Sequence, residues 1–343
     1  MPSRILISGN EAIAEAAIRA GCRFYAGYPI TPQNEITAYM ARRMPRVGGV
    51  FIQAESELSA INMVLGAAST GMRAMTTSSS PGISLMQEAI SYMAGMEIPA
   101  VIVNVMRGGP GLGNIAGAQG DYFQAVKGGG HGDYHMIVLA PSRVQEMADF
   151  TQKAFYLAFQ YRNPVMVLAD GYLGQMMEPA EIRNFDFSDQ SSSWRMEGAK
   201  GRDRHILRSL YLPVEDLEKV NLHLQEKFAH MQKEEMWDEY ETEDASRLIV
   251  AYGTCARICR EIIREGRKKG MRWGLFQPYT LFPFPEKRLE ELSRRVEKIV
   301  VVEMNAGQMV EDVRRIAGKE KVEFYGRMGG VLPRKEEIWK ILS

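Results

Sequence analysis

Three features of the 343-residue sequence predict an α/β protein built on two parallel sheets. Short β-branched runs alternate with helical patterns of roughly 10–15 residues, the signature of strand–helix–strand units. The alternation stops after Glu178 and resumes at Arg247, so it is written twice. The third feature is the cysteine count. Cys22, Cys255 and Cys259 are few and odd in number, so no disulfide framework is implied, which fits a reducing cytoplasm.

The first unit reads in order. Ile5, Leu6 and Ile7 form a strand, and 10–20 a helix that Gly21 stops in the left-handed conformation. A strand over 24–28 follows, then a helix with Pro32 in its first turn, carrying Ile36, Tyr39 and Met40. Strands at 50–52, 74–77, 99–106, 136–140 and 165–169 alternate with helices at 57–68, 83–94 and 143–161. Beyond Glu178 the pattern breaks. Residues 185–200 are Ser- and Asp-rich. Residues 215–236 form an amphipathic helix with Leu217, Val220, Leu224, Phe228 and Met231 on one stripe. Residues 234–244 hold seven acids and no Lys or Arg, which reads as a solvated face or linker, or otherwise a docking surface. The second unit places strands at 248–251, 273–276, 299–302 and 322–325, with helices at 256–268, 286–296 and 308–316. The expected division is therefore a first domain over 1–185, a linker with one helix over 186–245, and a second domain over 246–343.

Lys plus Arg equals Asp plus Glu at 42 each, so net charge argues neither for nucleic acid nor for an acidic surface partner. No run approaches the ~20 apolar residues of a membrane helix, and residues 1–9 lack the apolar core of a signal peptide. Cys255 and Cys259 share one helical face as buried side chains. No CxxC occurs, so no iron–sulfur cluster is expected on this chain.

Among nucleotide and hydrolase signatures, the chain has no GxxxxGK[ST] and no GxSxG. Gly109, Gly111 and Gly113 follow a strand without GxGxxG spacing. His131, Asp133 and His135 carry metal-capable groups at i, i+2 and i+4, but the glycines over 128–132 oppose a helix there. These residues would serve a metal-dependent hydrolase, or simply a glycine-rich loop.

A different group of residues is more informative. In Tyr28-Pro29-Ile30-Thr31-Pro32 two prolines fix φ on either side of one hydroxyl, holding Thr31 stiffly beyond a strand's carboxyl end. Open α/β sheets bind ligands at that edge. Glu57 opens a helix, where a carboxylate complements the dipole or serves chemistry. Arg107 ends a strand and enters a stretch from 108 to 132 with ten glycines. Its planar fork suits a carboxylate, of a substrate or of a salt bridge.

Taken in order, Tyr28 to Pro32, the Glu57 helix, Thr77-Ser78-Ser79-Ser80-Pro81-Gly82-Ile83-Ser84-Leu85-Met86 and Arg107-Gly108-Gly109-Pro110 resemble the α-type subunit of the 2-oxoacid:ferredoxin oxidoreductases. Pro278, Pro283-Phe284-Pro285, Val302-Glu303-Met304-Asn305 and Gly307-Gln308 extend the resemblance through the second half. Residues 109–115, 130–134 and Gly174-Gln175-Met176-Met177-Glu178-Pro179 are most similar to the branched-chain, 2-oxoisovalerate enzymes. The resemblance implies a pyrimidine-type thiamine diphosphate fold followed by a transketolase C-terminal-like domain. It implies coenzyme A-dependent oxidative decarboxylation of a 2-oxoacid, with ferredoxin reduced through a hetero-oligomeric complex. Mg²⁺ and the diphosphate would sit on a β subunit, and iron–sulfur clusters on cluster-bearing and γ-type subunits. This fits the lack of a GDG…N motif here. Glu57 would be the catalytic acid that shares a proton with the cofactor's pyrimidine ring. Tyr28, Pro29 and Ile30 would border the cofactor, and Thr31 and Arg107 would bind the substrate. No metal ligand is expected on this chain. Leu112, Ile115 and Ala116 favour a branched aliphatic tail. Lys127, His131 and His135 could instead serve the second carboxylate of 2-oxoglutarate. A scaffold subunit without chemistry is the remaining alternative.

Overall fold

A computed structural model describes residues 4–188 and 193–343. The chain begins with β1 (Ile5–Ser8), which pairs antiparallel with the later β8 in a separate two-stranded ribbon instead of joining the main sheet. Its exposed Ile5 and Leu6 suit an outer ribbon better than a sheet buried on both faces. Then come α1 (Gly9–Arg19), β2 (Phe24–Gly27), α2 (Asn34–Arg43), β3 (Val50–Gln53), α3 (Glu57–Ser69), β4 (Ala74–Ser78), α4 (Ser80–Gly95) and β5 (Val101–Met106). The short α5 (Tyr122–Val126) lies within the glycine-rich stretch. It precedes β6 (Ile137–Leu139), α6 (Val144–Tyr161), β7 (Val165–Asp170), α7 (Gly171–Gln175) and β8 (Met177–Ala180).

After residues described without regular structure come α8 (Val214–Met231), β9 (Trp237–Tyr240) and β10 (Arg247–Val250). The chain finishes with α9 (Gly253–Lys268), β11 (Trp273–Pro278), β12 (Thr280–Phe282), α10 (Glu286–Arg295), β13 (Lys298–Glu303), α11 (Met309–Ala317), β14 (Val322–Gly326) and α12 (Lys335–Leu342).

Seven strands form the first sheet in the order β12-β6-β7-β5-β4-β2-β3, all parallel except β12. Every residue of β4, β5 and β7 is buried, as expected for central strands covered by helices on both faces. The second sheet runs β14-β13-β10-β11-β9, with only β9 antiparallel.

Three expectations are corrected. Part of the acidic run is the partly exposed edge strand β9, a solvated face rather than a linker. Asp238 and Glu239 are tied to Arg260 and Arg288, which lets acids lie along a sheet edge. The amphipathic helix ends at Met231, five residues short of the expected end. Pro32 precedes the helix rather than opening it. Its carbonyl accepts from Asn10 Nδ2 at 2.8 Å, and α2 starts at Asn34.

Cys22, Cys255 and Cys259 are all free and buried, the last two in one cluster beneath the second sheet. Among the described residues no helix is long and apolar enough to cross a membrane.

Candidate functional site

Because its six strands from β6 to β3 run parallel, the first sheet delivers its carboxyl ends to one edge. The turn after β2, the start of α3, the start of α4 and the residue after β5 meet there. Ser56 caps α3 by accepting from Ser59 N at 3.2 Å, which fixes Glu57 in the first helical position. Glu57 is only 5% exposed. Its Oε1 accepts from Ser78 Oγ at 3.3 Å, at the end of β4. A Cβ on Gly82 would come within 2.4 Å of that same Oε1 and 2.0 Å of Ser78 Oγ. The carboxyl therefore occupies a slot that exists because residue 82 has no side chain. Glu57 Oε2 accepts from none of the described residues.

Behind this carboxyl lies a closed polar network. Tyr25 OH is 2.7 Å from Thr77 Oγ1 and 3.1 Å from Thr37 Oγ1, and Thr77 Oγ1 donates to Gln33 Oε1 at 2.6 Å. Gln33 Nε2 in turn donates to the Tyr28 carbonyl at 3.3 Å. Burial raises the Tyr25 hydroxyl to about 12, so it stays protonated and donating. The network holds the turn at 28–32 from below. Tyr28 and Pro29 are exposed, while Ile30 and Thr31 are half-buried.

Arg107 meets that turn from the other side. Its Nη1 donates to the Thr31 carbonyl at 3.0 Å and its Nη2 to the Leu112 carbonyl at 3.1 Å. The side chain is buried, yet its Nε has no partner. Among the described residues no carboxylate pairs with it, so the salt-bridge reading of Arg107 does not hold. The guanidinium clamps Thr31 to the glycine-rich loop and keeps donors to spare.

Beneath Arg107 sits a cluster that sequence reasoning missed. Ser80 Oγ accepts from Arg107 N at 3.1 Å and lies 2.6 Å from Asp121 Oδ2, which also accepts from Asn104 Nδ2 at 2.9 Å. Burial raises the Asp121 carboxyl above its usual range, and these two hydrogen bonds oppose the rise. One signal was available. Asn104 is the sole polar residue of β5, a strand otherwise entirely apolar. Ser78 and Gly82 lay within a quoted motif but had no assigned role.

The other candidates fall elsewhere. Lys127 bonds Asp312 of α11, and the His135 ring stacks on Phe282 with centroids 4.3 Å apart. His135 is thereby committed to packing and Lys127 to an ion pair, although Lys127, like His131, stays exposed. Among the described residues no three His, Cys, Asp or Glu groups come together as a metal site, so the hydrolase reading has no centre here. Leu112 and Ile115 do not close a pocket within this chain; they are 81% and 66% exposed.

The same loop reaches the second sheet. Gln119 donates to the Tyr252 carbonyl and accepts from Met304 N, and Asn305 Nδ2 donates to the Gln119 carbonyl. At the end of β7, Asp170 accepts from Tyr172 N, Leu173 N and both donors of Thr254. At the end of β13, buried Glu303 accepts from the amides of Gln308, Met309 and Val310. Burial raises both carboxyls, and those donors oppose it.

Comparison with known proteins shows the family. Residues 15–242 match the family described as pyruvate flavodoxin/ferredoxin oxidoreductase, thiamine diphosphate-binding, and residues 245–338 match pyruvate:ferredoxin oxidoreductase core domain II. The chain is 50% identical over 335 residues to the ketoisovalerate oxidoreductase subunit VorB of Methanothermobacter thermautotrophicus, covering 97% of this chain and 95% of that one. It is 41% identical over 337 residues to the 2-oxoglutarate synthase subunit KorA of Archaeoglobus fulgidus, covering 96% of each. Among solved structures it is similar to the 2-oxoglutarate:ferredoxin oxidoreductase of Magnetococcus marinus, with a TM-score of 0.86 and 28% identity. That match covers 99% of this chain but spans only 65% of the longer one.

Proposed function

The chain belongs to the 2-oxoacid:ferredoxin oxidoreductase family as an α-type subunit, and from that premise we propose that Glu57 and its surroundings form half of a shared thiamine diphosphate site. The reaction we assign is coenzyme A-dependent oxidative decarboxylation of a branched-chain 2-oxoacid, 2-oxoisovalerate, with reduction of ferredoxin. The observation that carries this reading is the slot at Glu57. Ser78 and Gly82 hold one carboxylate oxygen, and the other is left without a protein donor at the ligand-binding edge of a parallel sheet.

These residues fit the pyrimidine end of the cofactor. Bound there, thiamine diphosphate supplies the nucleophilic carbon and electron sink for decarboxylation. Glu57 holds and moves a proton at its free oxygen. Tyr28, Pro29 and Ile30 present a stiff, mostly exposed edge for the ring. Thr31 offers its hydroxyl to the substrate's oxo oxygen, and Arg107 its spare donors to the carboxylate. Tyr28, Leu58, Leu85, Leu112 and Ile115 are exposed around this edge. That apolar rim supports closure by a second, diphosphate-binding subunit, with cluster-bearing and γ-type subunits completing the path to ferredoxin. A cytoplasmic complex is the setting we assign.

Two observations favour the branched-chain acid over 2-oxoglutarate. The half-identical relative is named for ketoisovalerate. Two of the three cations available for a second carboxylate, Lys127 and His135, are occupied within the chain. The test is coenzyme A-dependent viologen reduction by the assembled complex. We expect kcat/KM for 2-oxoisovalerate to exceed that for 2-oxoglutarate and pyruvate by on the order of 10-fold or more. A preference for 2-oxoglutarate would reject the substrate assignment.

A further inference from the structure

Residues 203–212 run without turn or strand pairing over the surface before α8. Their side chains divide into two sets. His205, Leu207 and Tyr211 turn inward and are partly buried, with Leu207 against the main core and His205 Nδ1 at 2.7 Å from the Arg195 carbonyl. Ile206, Arg208, Leu210 and Leu212 turn outward, and the small Ser209 is exposed as well. Leu210 is 73% exposed and Leu212 84%, and Val214 continues the row. The apolar surface runs on past Leu217 and Leu222 into a cleft of about 540 Å³ between α8 and the loop at 132–135. No backbone amide from 203 to 212 donates a hydrogen bond among the described residues.

An extended segment with alternating faces, a row of large apolar side chains in water and unused amides is an uncovered strand edge. Charge decides what covers it. Lys200, Arg202, Arg204 and Arg208 are exposed along or beside the segment, with Asp203 the one acid among them, and Arg202, Arg204 and Arg208 form no ion pair among the described residues. A second copy laid antiparallel would bring arginines against arginines, which opposes pairing. We propose that residues 204–212 add as a strand to an extended acidic and apolar segment of another subunit of the same complex. The pairing rests on the subunit assignment above, and it lies apart from the Glu57 edge.

The test is amide-resolved hydrogen exchange on the purified, active complex. Pairing on one edge protects every second amide. We expect one alternating set within 204–212 to exchange on the order of 100-fold slower than unstructured peptide. A carbodiimide cross-link from Lys200 should join an acid of a different subunit. The double variant Leu210→Asp, Leu212→Asp, altered only at exposed positions, should lower the occupancy of that subunit in native mass spectra. Peptide-like exchange at every amide in a complex of full mass and activity would overturn the inference and leave the function standing. Cross-links to a second copy of this chain would also overturn it. Failure of the unaltered chain to assemble into any active complex would instead refute the functional reading.

Discussion

Two neighbours that do no chemistry themselves decide where Glu57 points. Ser78 holds one carboxylate oxygen and Gly82 leaves room for it. Helix propensity alone makes Gly82→Ala stabilising by about 1 kcal/mol. The added methyl would instead meet Ser78 Oγ at 2.0 Å and Glu57 Oε1 at 2.4 Å, and so must push the carboxyl out of register. We expect Gly82→Ala to leave the complex assembled while kcat for viologen reduction falls on the order of 10²-fold. Arg107 is a clamp as well as the proposed carboxylate site. Lysine cannot reach both the Thr31 and Leu112 carbonyls with one planar fork. Loss of charged hydrogen bonds costs about 1.5–3 kcal/mol, so Arg107→Lys should raise KM for the 2-oxoacid roughly 10–100-fold. An unchanged KM would separate the clamp from substrate binding.

At the scale of elements, the glycine-rich stretch after β5 is both the wall of the site and the seam between the sheets. Tyr122, at the start of α5, donates to Asp312 of α11 at 2.7 Å, and both side chains are buried. Lys127 bonds the same carboxylate from a half-exposed position, so its share is small. Asp312→Ala strands a buried hydroxyl, and we expect a loss of about 1–3 kcal/mol in a urea titration. This seam could not be read from the sequence, because its contacts join residues almost two hundred positions apart. Of the three missed strands β8, β9 and β12, the last two failed for similar reasons. β9 hides in an acidic run whose charges are neutralised by Arg260 and Arg288 from helices packed beside it. β12 is three residues between prolines, and it crosses to pair with β6 of the first sheet. The long alternating runs, by contrast, carried β2 to β5 and β7 openly, since central parallel strands must be apolar throughout.

For the whole molecule, two largely parallel sheets meet along the glycine-rich loop, at Asp170 and Thr254 and through β12, and leave the carboxyl edge of the first facing outward beside exposed apolar side chains. The sequence made the fold class legible, because strand ends and turn prolines are local features, whereas only the family resemblance set Thr31 and Arg107 at one site and only the structure shows their contact. It hid Ser80, Asn104 and Asp121, whose importance lies in a buried contact that no spacing rule reports. The central claim is that this chain contributes an acid to a site completed by another subunit. Coenzyme A-dependent viologen reduction with 2-oxoisovalerate, comparing the intact complex with one carrying Glu57→Gln, tests it most directly. The amide keeps the shape of the side chain and removes its capacity to give and take a proton. The account predicts an assembled complex whose rate is lower by on the order of 10²–10⁴-fold. An assembled complex with an undiminished rate would contradict it.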